Sequence, residues 1–231
     1  MATITVTSIV SRVSTILQDT TSVRWPSSEL LDWFDDGSRE VVLQLPEAGA
    51  VNESVALVAG TKQTIPAAGI QFIDAVRNTS GSAVRIVSRE VLDAQRIDWH
   101  TDTASTTIKH FTFDPRDPRR FYVYPPAAVG ASLDVVYSKS PSAAVRTGTI
   151  PNQTSASVLP IDDIYANVLV DYMLYRAYSK DAEYAGNTQR AISHYTAFAN
   201  ALGIKLKNEI ERNPNLSAGA FNPNVHGAAR V

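Results

Sequence analysis

The hydrophobic period of this 231-residue chain changes twice, from helical to alternating and back. Apolar residues at i, i+3, i+4 and i+7 mark an amphipathic helix, whereas alternation marks a half-buried strand. The first stripe is Val6, Ile9, Val10, Val13, Ile16 and Leu17, with Thr5 or Thr7 as its cap and Asp19-Thr20-Thr21 as its end. A second helix follows Pro26, with Ser27 as N-cap and Glu29 against its positive end. Its apolar face is Leu30, Phe34, Val41, Val42 and Leu45, and Pro46 stops it. Gly37 inside this helix costs about 1 kcal/mol relative to Ala. Either another backbone approaches there or the glycine is simply tolerated.

From Ala48 the pattern alternates. Residues 54–58 and 63–65 read as two strands around the turn Ala59-Gly60. Residues 70–77 and 83–87 read as a second pair across Asn78-Thr79-Ser80-Gly81-Ser82. Ser88 caps a short helix through Val91, Leu92 and Gln95. Residues 108–113, 121–124 and 133–137 follow as strands, the first two separated by the turn Asp114-Pro115-Arg116-Asp117-Pro118. Residues 49–140 are therefore expected to form a small, mostly antiparallel β unit, and residues 140–158 a loop.

Helical spacing then returns in Ile161, Ile164, Tyr165, Val168, Tyr172 and Tyr175 after Pro160. Continued to Asp181, this helix has 21 residues and a length of about 32 Å. Ala191, Tyr195, Phe198, Leu202, Leu206 and Ile210 form the stripe of the next. A short connection at Gly186 makes the two antiparallel. The expected fold class is α+β: a four-helix bundle-like core interrupted by a small antiparallel β insertion, with an extended C-terminal arm. The expected divisions are 1–48 and 159–212 for the two halves of the core, 49–158 for the insertion and its loop, and 213–231 for the arm.

The arm holds four Asn, two Pro and two Gly, and Arg230 is its one charge. It lacks the apolar content to fold alone. Extended, it reaches about 60 Å, well beyond the radius of gyration of about 17 Å expected for the body. Such an arm either stays loose or wraps around a partner, and Leu216, Phe221, Val225 and Val231 are spaced as its anchors.

Charge narrows the choice of function. There are 21 Lys plus Arg and 23 Asp plus Glu, a net of -2. Residues 1–48 carry 3 basic and 7 acidic side chains, 49–158 carry 11 and 9, and 159–212 carry 6 and 7. No segment has the surplus of a protein that holds nucleic acid through its phosphates. Arg116, Arg119 and Arg120 are expected to pair with Asp114 and Asp117 rather than form a basic patch. Cysteine is absent, which excludes disulfides, Cys-zinc sites and thiol catalysis. No run approaches the roughly 18 apolar residues of a membrane span, so no membrane partner is expected. The opening Met1-Ala2-Thr3-Ile4-Thr5 lacks the pattern of a secretory signal, so synthesis in a cytoplasm is expected.

No phosphate-binding glycine loop or nucleophile elbow occurs. His100, His110, His194 and His226 are not paired at ligand spacing. Asp35-Asp36 and Asp162-Asp163 are adjacent pairs, which point about 100° apart on a helix. Asp114 and Asp117 are the one candidate clamp for a cation, without the Gly and downstream Glu of a calcium loop. No catalytic residue, metal or cofactor is expected. Tyrosine is the informative excess: Tyr165, Tyr172, Tyr175, Tyr178, Tyr184 and Tyr195 all fall in the closing hairpin. The first three suit a core. Tyr178 and Tyr184, beside Lys180, Asp181 and Glu183, are the candidates for a subunit interface.

Several stretches in order carry a resemblance. They are Arg24 to Val42 (RWPSSELLDWFDDGSREVV) with Leu45-Pro46-Glu47-Ala48, then Ala75-Val76-Arg77-Asn78, and Leu92 to His100 (LDAQRIDWH). Next come Phe113 to Pro118 (FDPRDP) and Phe121 to Pro126 (FYVYPP). Ile161 to Asn167 (IDDIYAN) and Tyr175 to Tyr184 (YRAYSKDAEY) close the series. Together they resemble the head-to-tail adaptor proteins of tailed bacteriophages, also called connectors or head-completion proteins, over roughly residues 5–205. The resemblance implies a helical bundle with a variable β insertion and no catalytic site. It also implies a ring, typically a dodecamer, placed beneath the portal in the neck of the virion. Such a ring extends the DNA channel towards a downstream tail or nozzle protein, and C-terminal arms commonly dock on the portal. Residues 213–231 lie outside the quoted motifs; their assignment to the portal, through Leu216, Phe221, Val225, Arg230 and Val231, combines their composition with that family habit.

A closed ring of copies requires a heterologous interface, and a near-neutral wall suits genomic DNA that slides through the lumen without sequence-specific binding. Two other readings stay open: a tail-tube or tail-completion protein, and, more weakly, a metal-dependent hydrolase using Asp114, Asp117 and His110.

Overall fold

The computed structural model describes residues 2–181, 183–184 and 186–212, without the side chains of 204–212. The chain is mixed α+β and divides into two units, one formed by residues up to Gly37 and from Ala144 onward, the other by Ser38–Ala143. The division falls inside a helix rather than after it.

The first unit holds α1 (Val6–Ile16), the start of α2 (Ser27–Gln44), α4 (Ala166–Lys180) and α5 (Asn187–Arg212). Thr5 caps α1, its side chain accepting from the Ser8 N–H. Val6, Ile9 and Val13 are buried, and α1 packs on α4. The α1–α2 turn is tied by Asp19, whose carboxylate accepts the backbone N–H groups of Val23, Arg24 and Trp25 at 2.8–3.0 Å. The α2 start is capped differently from expectation. The Ser27 hydroxyl donates to the Pro151 carbonyl at 3.3 Å, and that same carbonyl accepts the Ser28 N–H at 3.1 Å. Pro151 sits at the turn between β8 (Thr147–Thr149) and β9 (Asn152–Thr154), an antiparallel hairpin inside the expected loop. An acceptor distant in sequence thus satisfies a helix-end donor.

The segment before α4 is a 3-10 turn, Asp163–Tyr165, so the expected 21-residue helix is a turn followed by 15 residues. Asp162 caps the turn by accepting from Ile164 N–H at 3.2 Å. Asp163 accepts from Thr3 N–H and Thr3 Oγ1 at 2.7 Å and from Ile4 N–H at 3.1 Å, which ties the chain start to this point. These bonds hold the Asp163 carboxyl below its ordinary pKa, the Thr3 side chain first among them. Nine residues of α4 are buried, including Val168, Leu169, Tyr172, Met173 and Ala177. A helix apolar around most of its circumference lies inside its unit. Its neighbours bear this out: α5 and α1 pack on it, and Tyr172 and Leu169 lie against Gly37 of α2. Lys180 at the end of α4 pairs with Glu29 at the start of α2, so the two run antiparallel.

The second unit is two sheets, antiparallel except for one pair. One has strand order β1-β7-β3, from Ala50–Ala56, Ser132–Lys139 and Gly69–Asn78. The other is β2-β6-β5-β4, from Gly60–Thr64, Arg120–Ala127, His110–Phe113 and Arg85–Ile86. Alternation puts Leu133, Val135 and Tyr137 of β7, and Phe121 and Val123 of β6, into one core. Phe72 of β3 stacks on Phe121 at 4.5 Å and meets Phe111 edge-on at 5.6 Å, so the sheets pack face to face.

The first expected hairpin comes apart in consequence, and the second keeps only the rungs next to its turn. β1 pairs with β7 while β2 pairs with β6. The segment leading into β4 meets β3 at an antiparallel bridge between Arg77 and Ala83 and through Val84 N–H on the Val76 carbonyl at 3.3 Å, and β4 itself runs parallel to β5. Neighbours in sequence are split between facing layers because that arrangement buries both apolar faces. The turn at Asn78–Ser82 does form, with Gly81 at φ +118° and its N–H on the Asn78 carbonyl at 2.8 Å. A helix α3 (Arg89–Gln95) follows Ser88, whose side chain makes no capping bond.

Candidate subunit-contact surface

The α4–α5 hairpin carries the tyrosine cluster. α5 turns Ala191, Phe198 and Leu202 inward, and the rings interlock. Tyr172 lies 5.3 Å from Phe198 and 5.9 Å from Tyr175, and Tyr175 lies 5.1 Å from Tyr195. Tilted rings at such separations contribute about 0.5–1.5 kcal/mol each beyond area burial.

The two interface candidates go to different places. Tyr178 is buried, stacked on His194 at 5.7 Å and 12°, with the Arg190 guanidinium 5.6 Å from its ring centre. His194 Nδ1 is in turn bonded to Asp171 Oδ1 at 3.0 Å. Tyr178 therefore braces the hairpin from within. Tyr184 is 70% exposed on a turn closed by Tyr184 N–H to the Asp181 carbonyl at 3.2 Å and Asn187 N–H to the Tyr184 carbonyl at 2.9 Å. Asp181 also takes Arg24 and, at 2.6 Å, the buried Asn187 amide. These bonds hold Tyr184 between α4 and α5 with its ring exposed.

Next to that turn the outer face of the hairpin is grooved. Tyr175, Ser179, Thr188, Ala191, Ile192 and Tyr195 line a cavity of about 290 Å³ without a charged side chain. Ile192 and Tyr195 are half exposed there. Tyr195, expected on the core stripe of this helix, is exposed here instead, and so is Ile192, which that stripe does not include. Its signal was an isoleucine one position off the Ala191–Phe198–Leu202 face, where a purely solvated face carries polar residues.

The other candidates are occupied locally. Asp114 takes the Arg116 guanidinium at 2.7 and 3.0 Å, and this pairing lowers its carboxyl to about 2. Asp117 pairs with Arg120 at 3.2 Å, and Arg119 donates to the Ala67 carbonyl at 3.2 Å. His110 stacks parallel to Tyr124 at 6.3 Å, and its buried Nδ1 has no partner among the described residues. Among the described residues no three His, Cys, Asp or Glu side chains gather as a metal site, and no helix is long and apolar enough to cross a membrane. Leu216, Phe221, Val225, Arg230 and Val231 lie outside the described residues.

No curated protein sequence matches the chain. The SU10 adaptor protein family matches residues 4–221, which reaches nine residues past α5 into the segment the sequence motifs left uncovered. With nearly the whole chain so matched, the protein belongs to this family of phage head-to-tail adaptor proteins.

Proposed function

We propose that the protein is a structural component of the virion neck. Twelve copies form a ring beneath the portal, continue the DNA channel and receive a downstream tail or nozzle protein. The family match over residues 4–221 carries this reading. The helices α1, α2, α4 and α5 supply a bundle core for the ring wall, and the exposed Tyr184, held by the turn that Asp181 organises, supplies a contact to the adjacent subunit. Tyr178 supports that contact by stiffening the hairpin beneath it. The arm, through Leu216, Phe221, Val225, Arg230 and Val231, docks on the portal. A net of -2 per subunit leaves the lumen without a strong hold on DNA. The protein has no catalytic role in this scheme.

The test is the solution mass of the protein alone and mixed with the portal ring of the same virus. A gain of about a dozen chains per portal is expected. Two folded proteins that leave each other's mass unchanged would move the protein to the tail side of the junction.

A further inference from the structure

The strand edges of the second unit are not alike. The backbone groups of β3 that face away from β7 are taken: Phe72 N–H donates to the Pro118 carbonyl at 2.7 Å, Asn78 N–H donates to the Ser82 carbonyl at 2.7 Å, and the Val76 carbonyl accepts Val84 N–H at 3.3 Å. β3 also shifts register three times against β7. In the other sheet β2 shifts register beside Lys62, and β4 has only two residues. Short strands, irregular register and edge lysines keep a strand from pairing with another chain. β1 has none of these. It pairs with β7 over seven consecutive residues without a shift, and its sequence from Ala50 to Ala56 (AVNESVA) holds no Lys, Arg or Pro.

The ladder shows which groups of β1 point away. Leu57 N–H, one residue past β1, donates to the carbonyl of Ala131, one residue before β7, at 2.9 Å. Bonding alternates along an antiparallel pair, so Val55, Glu53 and Val51 face β7 while Asn52, Ser54 and Ala56 turn their N–H and C=O groups outward. Those outward groups have no backbone partner among the described residues. Side chains then set what can pair there. Val51 and Val55 pack half-buried against the core of this unit. Glu53 lies between them on the same face, accepting the Tyr137 hydroxyl at 2.6 Å, and Lys139 approaches it only to 3.9 Å with both side chains half exposed. A second copy of β1 does not suit this edge. Full antiparallel overlap with the outward groups matched puts Glu53 directly opposite Glu53, and like charges so placed are destabilising.

We propose that β1 is an attachment site for an extended segment of another polypeptide, which adds to the three-stranded sheet as a further strand. Main-chain bonds to Asn52, Ser54 and Ala56 supply the hold, and alternate side chains supply the choice of partner. The segment places an apolar residue beside Val51 and another beside Val55, which extends the core, and a Lys or Arg opposite Glu53. This attachment is separate from the subunit contact at Tyr184 and from portal docking, so either reading can fail without the other.

The probe is the peptide Thr-Val-Thr-Lys-Thr-Val-Thr, capped at both ends and added to the full chain. It reads the same in both directions, so it fits a parallel or an antiparallel addition. It is expected to slow hydrogen exchange at the Asn52, Ser54 and Ala56 amides. It should also bind several-fold more tightly than the same peptide with Glu in place of Lys. Ser54→Pro removes an outward donor without taking a bond from the β1–β7 ladder. That variant should melt at the temperature of the natural protein and lose the peptide. Glu53→Lys should reverse the preference between the two peptides. Exchange unchanged by the peptide, equal binding to Ser54→Pro, or a preference that survives Glu53→Lys would each overturn the proposal. So would a dimer of the peptide-free chain that Ser54→Pro abolishes, which would give the edge to a second copy.

Discussion

Gly37 shows how one position is decided by what lies over it. In an isolated helix Gly37→Ala would gain about 1 kcal/mol. Here a Cβ would stand 2.8 Å from Tyr172 Cδ1 and 3.2 Å from Cγ, against a ring already fixed by Tyr175 and Phe198. Overpacking of this kind costs about 1–3 kcal/mol, so Gly37→Ala should lower the melting temperature. A rise would show that Tyr172 moves freely. The close approach is thus by a ring, not by a backbone. Asp35 makes the second case at this scale. It is 5% exposed and accepts Ala144 N–H at 2.9 Å and Arg146 at 2.7 Å, while Asp32, bonded to the same arginine, is 62% exposed. Removing the partner of a buried charge costs about 3–5 kcal/mol, whereas an exposed partner contributes less than about 1 kcal/mol. Urea unfolding should therefore find Arg146→Ala far more damaging than Asp32→Ala.

Elements depend on acceptors placed far away in sequence. The start of α2 needs the Pro151 carbonyl, which only the β8–β9 hairpin can deliver. The turn before it needs Asp19. Three backbone donors hold that carboxyl below its ordinary 3.8, the Trp25 N–H foremost. A carboxyl lowered by folding adds stability above its unfolded pKa and loses it as pH falls through the folded value. Asp19→Asn should thus cost about 1 kcal/mol at pH 7, with the gap to the natural protein closing below pH 3.8. A gap unchanged by acid would mean the charge contributes nothing. Among the strands, alternation located β5, β6 and β7 well because each keeps one face in a shared core. Strand pairing was not legible, since it depends on which layer each strand joins.

At the scale of the whole molecule, assembly and folding should separate. Tyr184→Asp removes an exposed ring, so the monomer's stability should stay within about 0.5 kcal/mol while the mass gain on the portal falls. Retention of full assembly would take Tyr184 out of the interface. Deleting residues 213–231 should leave the helical signal intact and abolish portal attachment; attachment that survives the deletion would assign docking to the body. Of the candidate surface, Tyr184 was legible as an aromatic residue among charges at a hairpin tip. The groove was not, because Ile192 reads as ordinary amphipathic noise until α4 shows which face of α5 is already taken.

By itself, the sequence determined the helix-strand-helix order, a threonine cap for α1 at Thr5 or Thr7, the turn at Asn78–Ser82 and the membership of the chain in its family. These follow from period, turn chemistry and motif order, all of which act over a few residues. Tertiary structure decided the rest: the sorting of β1 and β2 into facing sheets, the capping of α2 from Pro151, the burial of Tyr178 and the exposure of Tyr184. Each of these depends on which surface arrives from a distant part of the chain. Spacing along a segment sets which residues share a face, and only the packing partner determines whether that face is core or contact.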